Sequence, residues 1–182
     1  MSVRLRIAEV HTPAFLRKKK ICELFRLTAR AFDMEAPLDP GAEGRDTIRA
    51  YAIFSRVNAE RTLNSGGDVD TLKRRLYDRA YEFGSGLRRI LRVSKPEDVM
   101  RAARLLYRFI NIDFRGRPDG EVVVRKCYFS DYYSAPVCAL MSSLDEGVLA
   151  GLAGGGRLVF TERITEGKNR CLAAFTFPEA AR

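Results

Sequence analysis

The sequence predicts an α+β fold, in which a helical N-terminal lobe of about four helices precedes a β-α-β-β unit with an antiparallel sheet. Apolar residues recur every three to four positions up to about residue 110, whereas β-branched and aromatic residues concentrate after residue 119. The turn sequence Pro118-Asp119-Gly120 separates the two patterns. We therefore expect residues 1–118 to form a basic helical lobe and residues 119–182 the β-α-β-β unit, joined as one continuous domain.

The lobe begins with residues 3–7, which alternate apolar and basic side chains as a short edge strand or an extended arm does. Four helices are expected to follow, and their start signals are Thr12-Pro13, Asp46, Asp70 and the capping-box sequence Ser94-Lys95-Pro96-Glu97. The third of these helices has the clearest period, because its arginines lie largely off the apolar stripe that runs from Leu72 to Leu91.

The second part of the chain predicts one helix and three strands. Residues 121–129 favour a strand. A helix is expected to begin after Ser134 and to end at the three glycines of positions 154–156. Residues 157–165 and 170–177 then alternate as the two strands of a hairpin, whose turn contains Gly167.

Composition excludes several classes of protein. With 46% hydrophobic and 30% charged residues, the chain has the profile of a globular protein and not of a disordered tail or a fibre. No apolar run approaches the ~18 residues of a spanning helix, and the cations from Arg17 to Lys20 stand where a signal peptide needs apolar residues. We therefore expect a cytoplasmic protein with no membrane partner, and its four cysteines as reduced thiols.

The net charge of +9 lies in the lobe, since residues 1–118 hold 25 Lys and Arg against 15 Asp and Glu, whereas residues 119–182 hold 7 against 8. A basic surface favours an anionic partner such as nucleic acid. Interleaved acidic residues and the lack of an RNA-binding signature favour a solvated helix face instead, so no sequence-specific nucleic-acid binding is expected. The arginines in question are Arg74, Arg75, Arg88, Arg89, Arg101, Arg104 and Arg108.

Cys138 is the first candidate for chemistry. It lies about one turn into the helix after Ser134, where the partial positive charge of the helix end stabilises a thiolate. The alternative is that this cysteine packs as a small apolar residue. Ser142 and Asp145 follow at helical spacing, so the three polar groups share one stripe, which is either part of a site or a solvated flank.

The hairpin supplies the second group of candidates. If its turn is centred on Gly167, Cys171 lies opposite Ile164 and on the same side of the strands as Glu162. Cys138, Cys171 and Glu162 are residue types that bind zinc, although no fourth ligand is evident. The sole histidine, His11, precedes the helices, so a base would be Asp145, Glu162 or a tyrosine such as Tyr128.

From Cys127 to Phe177 the sequence resembles the 4-vinyl-reductase-type ligand-binding domain, and most closely its relatives of the L-2-amino-thiazoline-4-carboxylic acid hydrolase type. Cys138 matches the helix cysteine of that family, Glu162 its glutamate and Cys171 its last cysteine. Thr165 stands where the zinc-binding members have a further cysteine ligand. The resemblance therefore implies a domain of this type without a bound zinc, and we expect no cofactor.

The resemblance implies a small organic ligand enclosed between the sheet and the helices. One hypothesis is a hydrolase of C–N bonds, in which Cys138 is the nucleophile, Asp145 or Glu162 moves protons and Arg163 holds a carboxylate. The other is a non-catalytic receptor, with docking to a protein or nucleic acid and self-association as a homodimer left open. Either predicts a cavity of ~300 Å³ or more, with further contacts from Cys127, Tyr128, Phe129, Ser142, Cys171 and Phe175.

Overall fold

A computed structural model describes residues 3–179 of the chain. Five helices come first within that range, followed by a four-stranded sheet that a sixth helix interrupts in sequence. The α+β fold and the helical N-terminal part are therefore as predicted. The helices are α1 (Val3–Val10), α2 (Ala14–Ala31), α3 (Gly44–Asn64), α4 (Val69–Leu91), α5 (Pro96–Phe109) and α6 (Ala135–Ala153), and the strands are β1 (Ile112–Gly116), β2 (Glu121–Cys127), β3 (Arg157–Glu162) and β4 (Cys171–Thr176).

Helix α1 replaces the predicted strand or arm. Only Leu5 of this helix is buried, and the Thr12 hydroxyl donates to the carbonyl oxygen of Ala8 at 2.5 Å. Thr12 is thus occupied at the end of α1 and does not cap α2, whose preceding residue is Pro13. Alternation over five residues was too short a signal, because a helix with a single buried position produces the same pattern.

The sheet has the order β1-β2-β4-β3 and is antiparallel throughout. Strand β1 was not predicted, since only Phe114 of its five residues is buried and the segment carries Asp113, Arg115 and Gly116. It pairs with β2 through Phe114 and Val124, so the sheet draws on residues on both sides of Pro118. The sheet therefore packs directly against the lobe, through α5 and β1.

The strands of the last hairpin are shorter than predicted. The register shifts between Phe160 and Glu162, where β3 ends, and Ile164–Glu166 then form a 3₁₀ turn before β4 begins. The amide of Ile164 donates to the Cys171 sulfur at 3.4 Å, so these two residues lie together as expected.

Helix α6 runs through the centre of the protein. By length and composition it resembles a membrane span, but its residues are largely buried against the rest of the fold, as in the core helix of many soluble domains. It packs most closely against α4, where Gly84 meets Gly151 and where Gly147 meets the backbone of Tyr77. Gly154, with φ of 83°, ends the helix in the left-handed conformation.

Candidate functional site

A cavity of about 90 Å³ lies between the first half of α6 and the sheet. Helices α2, α3 and α5 close it on one side. The ends of β2 and β4 close it on the other, together with the 3₁₀ turns Tyr128–Asp131 and Ile164–Glu166. Its wall is mostly apolar, and the apolar residues are Leu24, Leu106, Ile110, Ile112, Phe129, Met141, Leu144, Val148 and Ile164. The polar residues of the wall are Tyr51, Tyr107, Ser130, Tyr133, Ser142, Asp145 and Thr165, joined by Cys127, Cys138 and Cys171.

Asp145 is the acidic residue of this wall. The Tyr107 hydroxyl donates to its Oδ1 at 2.6 Å, and its other oxygen makes no hydrogen bond within the described residues. The side chain keeps partial access to the cavity, yet the surrounding protein removes enough water to raise the pKa of its carboxyl from 3.8 to about 6. The Tyr107 bond and the charge of Arg163 oppose that shift. Near neutral pH the cavity therefore holds a carboxylate that is short of partners.

The tyrosines around the cavity already have hydrogen-bond partners. The Tyr51 hydroxyl pairs with Thr28 at 2.8 Å, and the Tyr133 hydroxyl pairs with Ser55 at 2.5 Å. Burial raises the pKa of both hydroxyls and that of Tyr107. They consequently serve as neutral, fixed walls, since a buried tyrosine with a satisfied hydroxyl is held in place at both ends.

The three cysteines of the cavity are protonated thiols at neutral pH. Loss of water raises the pKa of Cys127 to about 12 and raises that of Cys138 and Cys171 as well. Asp145 adds to each shift through its negative charge, and Arg163 opposes those of Cys138 and Cys171. Desolvation therefore outweighs the helix-end effect that the sequence suggested for Cys138.

Two buried donor groups beside the cavity lack a hydrogen bond of good geometry in the described part of the chain, namely Thr165 Oγ1, in the wall, and Arg163 Nε. The Thr165 hydroxyl nevertheless lies close enough to the Cys138 thiol to lower the pKa of that thiol, although burial outweighs this effect. Another guanidinium nitrogen of Arg163 lies 3.4 Å from the Glu166 carboxylate. The guanidinium group also lies over the Phe160 ring, with Arg163 Cζ 4.9 Å from the ring centre. Sulfur is a weak hydrogen-bond partner, so a bound molecule with a better acceptor would gain a contact from the Thr165 hydroxyl.

The structure brings together six of the residues proposed from the sequence, namely Cys127, Phe129, Cys138, Ser142, Asp145 and Cys171. Four others do not line the cavity. Glu162 precedes the 3₁₀ turn, and the irregularity of β3 separates it from Cys171. Tyr128 is outside the wall, and its hydroxyl pairs with that of Tyr132 at 3.0 Å. Phe175 packs on Phe177 at the far end of the sheet. Arg163 does not line the cavity but lowers the pKa of Asp145 through its charge.

Sequence reasoning missed the tyrosines of α3 and α5 and the lining residues of the lobe. Tyr107 stacks on Phe114 at 4.8 Å between ring centres, which depends on the unpredicted strand β1. A signal was available, because a tyrosine beside the buried stripe of an amphipathic helix needs a partner for its hydroxyl. The cavity is also smaller than the ~300 Å³ expected, since these rings fill space that a site built from residues 119–182 alone would leave open.

No metal-ligand cluster is formed by the residues that the structure describes. Among residues 3–179 no group of three or more His, Cys, Asp or Glu side chains is placed to hold a metal ion. The set Cys138, Cys171 and Glu162 is divided because Glu162 stays outside the cavity.

No family model matches this chain, and neither a curated protein nor a solved structure is significantly similar to it. The fold and the cavity are thus the observations from which a function is argued. They define an α+β domain in which a small, mostly apolar cavity is bordered by a carboxylate.

Proposed function

We propose that the protein is a binding protein for a small molecule, about one ring in size, that carries an N–H group. The observation that carries this proposal is the Asp145 carboxylate, which has one free oxygen in an otherwise apolar cavity. A ligand that donates to that oxygen gains a charge-assisted hydrogen bond in a medium of low dielectric. Basic heterocycles and amidines combine such a donor with an apolar ring.

The size of the cavity limits the ligand. An apolar cavity of roughly 150 Å³ admits benzene, and the present one of about 90 Å³ is smaller. A single ring is consequently the upper limit, and it enters only with some movement of the walls. Thr165 offers a second contact on the same wall, since its hydroxyl makes no hydrogen bond of good geometry among the described residues and lies beside the weakly interacting Cys138 sulfur.

Receptor function is favoured over thiol-dependent hydrolysis by the state of Cys138. A cysteine nucleophile requires a thiolate, whereas burial raises the pKa of this thiol. No histidine lies in the cavity wall to remove its proton.

The test of this proposal is calorimetric titration with two rings of equal size, 2-aminopyridine and toluene. The full chain is expected to bind 2-aminopyridine more tightly than toluene. The Asp145→Asn variant, which keeps the shape of the side chain, is expected to lose about tenfold or more in affinity for 2-aminopyridine, because a hydrogen bond to a charged group contributes about 1.5–3 kcal/mol. Its affinity for toluene should be unchanged.

Asp131→Asn is the matched control, since Asp131 is an exposed carboxylate in the 3₁₀ turn after β2 and lies outside the cavity wall. It should bind both probes as the unaltered chain does. Equal affinity of the unaltered chain and the Asp145→Asn variant for 2-aminopyridine would overturn the proposal.

Thiol alkylation at neutral pH separates the receptor from the hydrolase. We expect Cys127, Cys138 and Cys171 to react more slowly in the folded protein than in urea, because the pKa of each is raised. Mass spectrometry after brief treatment with iodoacetamide locates the modified residues. A single fast thiol that disappears in Cys138→Ser would instead support the hydrolase.

A further inference from the structure

Helix α1 is held to the body of the protein by one face. Leu5 is fully buried, and the Glu9 carboxylate is paired with Arg101 of α5, whose Nε lies 3.0 Å from Glu9 Oε1. Arg4 donates to the carbonyl oxygen of Ile90, near the end of α4, at 3.2 Å. These contacts fix which side of α1 faces outward.

The outward face of α1 is apolar. Val3, Ile7 and Val10 are spaced four and three positions apart, so they form one ridge on the side opposite Leu5. Their exposed fractions are 69%, 63% and 89%. A solvent-facing helix side is normally polar, and single exposed apolar residues are ordinary but a continuous ridge points to a partner.

Exposed cations lie beside this ridge on α1 and follow it in the chain. Arg6 adjoins the ridge on the helix, and Arg17 and Lys19 come at the start of α2. None of these three forms an ion pair within the described residues. Glu9 is the sole acidic residue of positions 3–20, and Arg101 already neutralises it. The surface thus presents apolar groups and positive charge together.

We infer that α1 attaches the protein to the surface of an anionic phospholipid bilayer. Helices with an apolar ridge and flanking cations lie in the bilayer interface, where the ridge enters the acyl boundary and the cations reach the phosphates. This inference departs from the expectation of no membrane partner, which rested on the lack of a spanning segment and of a signal peptide. This inference is independent of the ligand proposed for the cavity.

The charge distribution disfavours the other occupants of this face. A second copy of the chain would bring Arg6, Arg17 and Lys19 against their own counterparts, and like charges across an interface oppose association. Nucleic acid would satisfy the cations but would leave the ridge of Val3, Ile7 and Val10 in water.

The experiment is co-sedimentation of the full chain with vesicles of phosphatidylcholine, with and without about 30% phosphatidylserine. The chain is expected to sediment with the anionic vesicles only. Ile7→Ser should weaken the partition at least about fivefold, and so should Arg6→Gln, because each removes one of the two kinds of contact. Arg6 is exposed, so its variant tests the inference even where Ile7→Ser alters α1.

Two matched variants serve as controls. Val159→Ser removes an exposed apolar residue from β3, and Arg125→Gln removes an exposed cation from β2. Both should bind vesicles as the unaltered chain does. Equal binding to neutral vesicles, or binding unaffected by Ile7→Ser and Arg6→Gln, would overturn the inference. A dimer that analytical ultracentrifugation detects without vesicles, and that is lost in Ile7→Ser, would assign the ridge to a second copy instead.

Discussion

The two halves of α6 are packed in opposite ways. In the second half, Gly147 and Gly151 lie against the backbone of α4, and a methyl group at either position would collide with the carbonyl oxygen of Tyr77 or Tyr81. In the first half, Cys138, Ser142 and Asp145 border a cavity of about 90 Å³. One helix thus forms both a close backbone contact with α4 and part of the candidate binding site.

The close packing of one end of α6 allows the other end to border an open cavity. Close helix packing at one end holds α6 in place, so the other end tolerates missing contacts and a desolvated carboxylate. Glycine permits the close packing because it lets the backbones of α4 and α6 meet. Small polar residues leave the cavity open because their side chains do not fill it.

The largest effect is expected from Gly147→Ala. Its methyl group would strike the Tyr77 carbonyl oxygen, which belongs to the α4 backbone and has no room to move aside. We expect the free energy of unfolding to fall by about 3 kcal/mol, since overpacking exceeds the ~1 kcal/mol that alanine gains in a helix. Urea denaturation measures the difference.

Gly86→Ala is the matched control for that variant. Gly86 lies within α4, and a methyl group there would contact nothing within 4 Å. The same substitution should stabilise the protein by about 0.5–1 kcal/mol. If both variants changed the free energy of unfolding equally, the close contact between α4 and α6 would have no energetic role. The second half of α6 would then not be held by that contact.

The next effect concerns pH and the first half of α6. Burial raises the pKa of Asp145 from 3.8 to about 6, so its ionised form is disfavoured in the folded protein. The stabilisation that comes from keeping this carboxyl protonated is fully present below about pH 4 and is lost as the pH rises through 6. Relative to Asp145→Asn, the free energy of unfolding should therefore fall by about 2 kcal/mol between pH 4 and pH 7.5.

Urea denaturation of both proteins across this pH range isolates the effect, because every other titrating group is common to the two chains. The asparagine of the Asp145→Asn variant keeps an oxygen for the Tyr107 hydroxyl, which donates to Oδ1 in the native chain. Parallel pH profiles would mean that the carboxyl is hydrated, and the cavity would then not be the water-poor site described.

The sequence was sufficient for the helices and strands with long periodic patterns. The predicted stripe is buried in α4 from Leu72 to Leu87, whereas Ile90 at its end is exposed. The glycines after α6 end that helix where expected. It was insufficient where the signal was short or weak. Five residues could not distinguish a strand from α1, and β1 buries a single side chain.

The candidate site was predictable only in part for a similar reason. Helical spacing correctly placed Cys138, Ser142 and Asp145 on one face, because that relation is local. Tyr107 and Tyr51 come from distant helices, and no local pattern states which helix faces the cavity. Glu162 was misplaced because an irregularity in a strand reverses which side a residue faces.

The smallest effect on stability is expected from Ser142→Val. This variant adds volume to the first half of α6, at the cavity, whereas Gly147→Ala adds volume at the close contact with α4. The Ser142 hydroxyl donates only to the Cys138 carbonyl oxygen of its own helix, at 2.8 Å, and the cavity lies in front of it. The free energy of unfolding should change by less than about 1 kcal/mol, whereas Gly147→Ala adds one methyl group at a greater cost. Affinity for 2-aminopyridine should nevertheless fall about tenfold, since the valine methyl groups occupy the ligand's space. Ser143→Val, one position along and outside the cavity wall, should leave that affinity unchanged; equal losses in both variants would mean that the probe binds elsewhere.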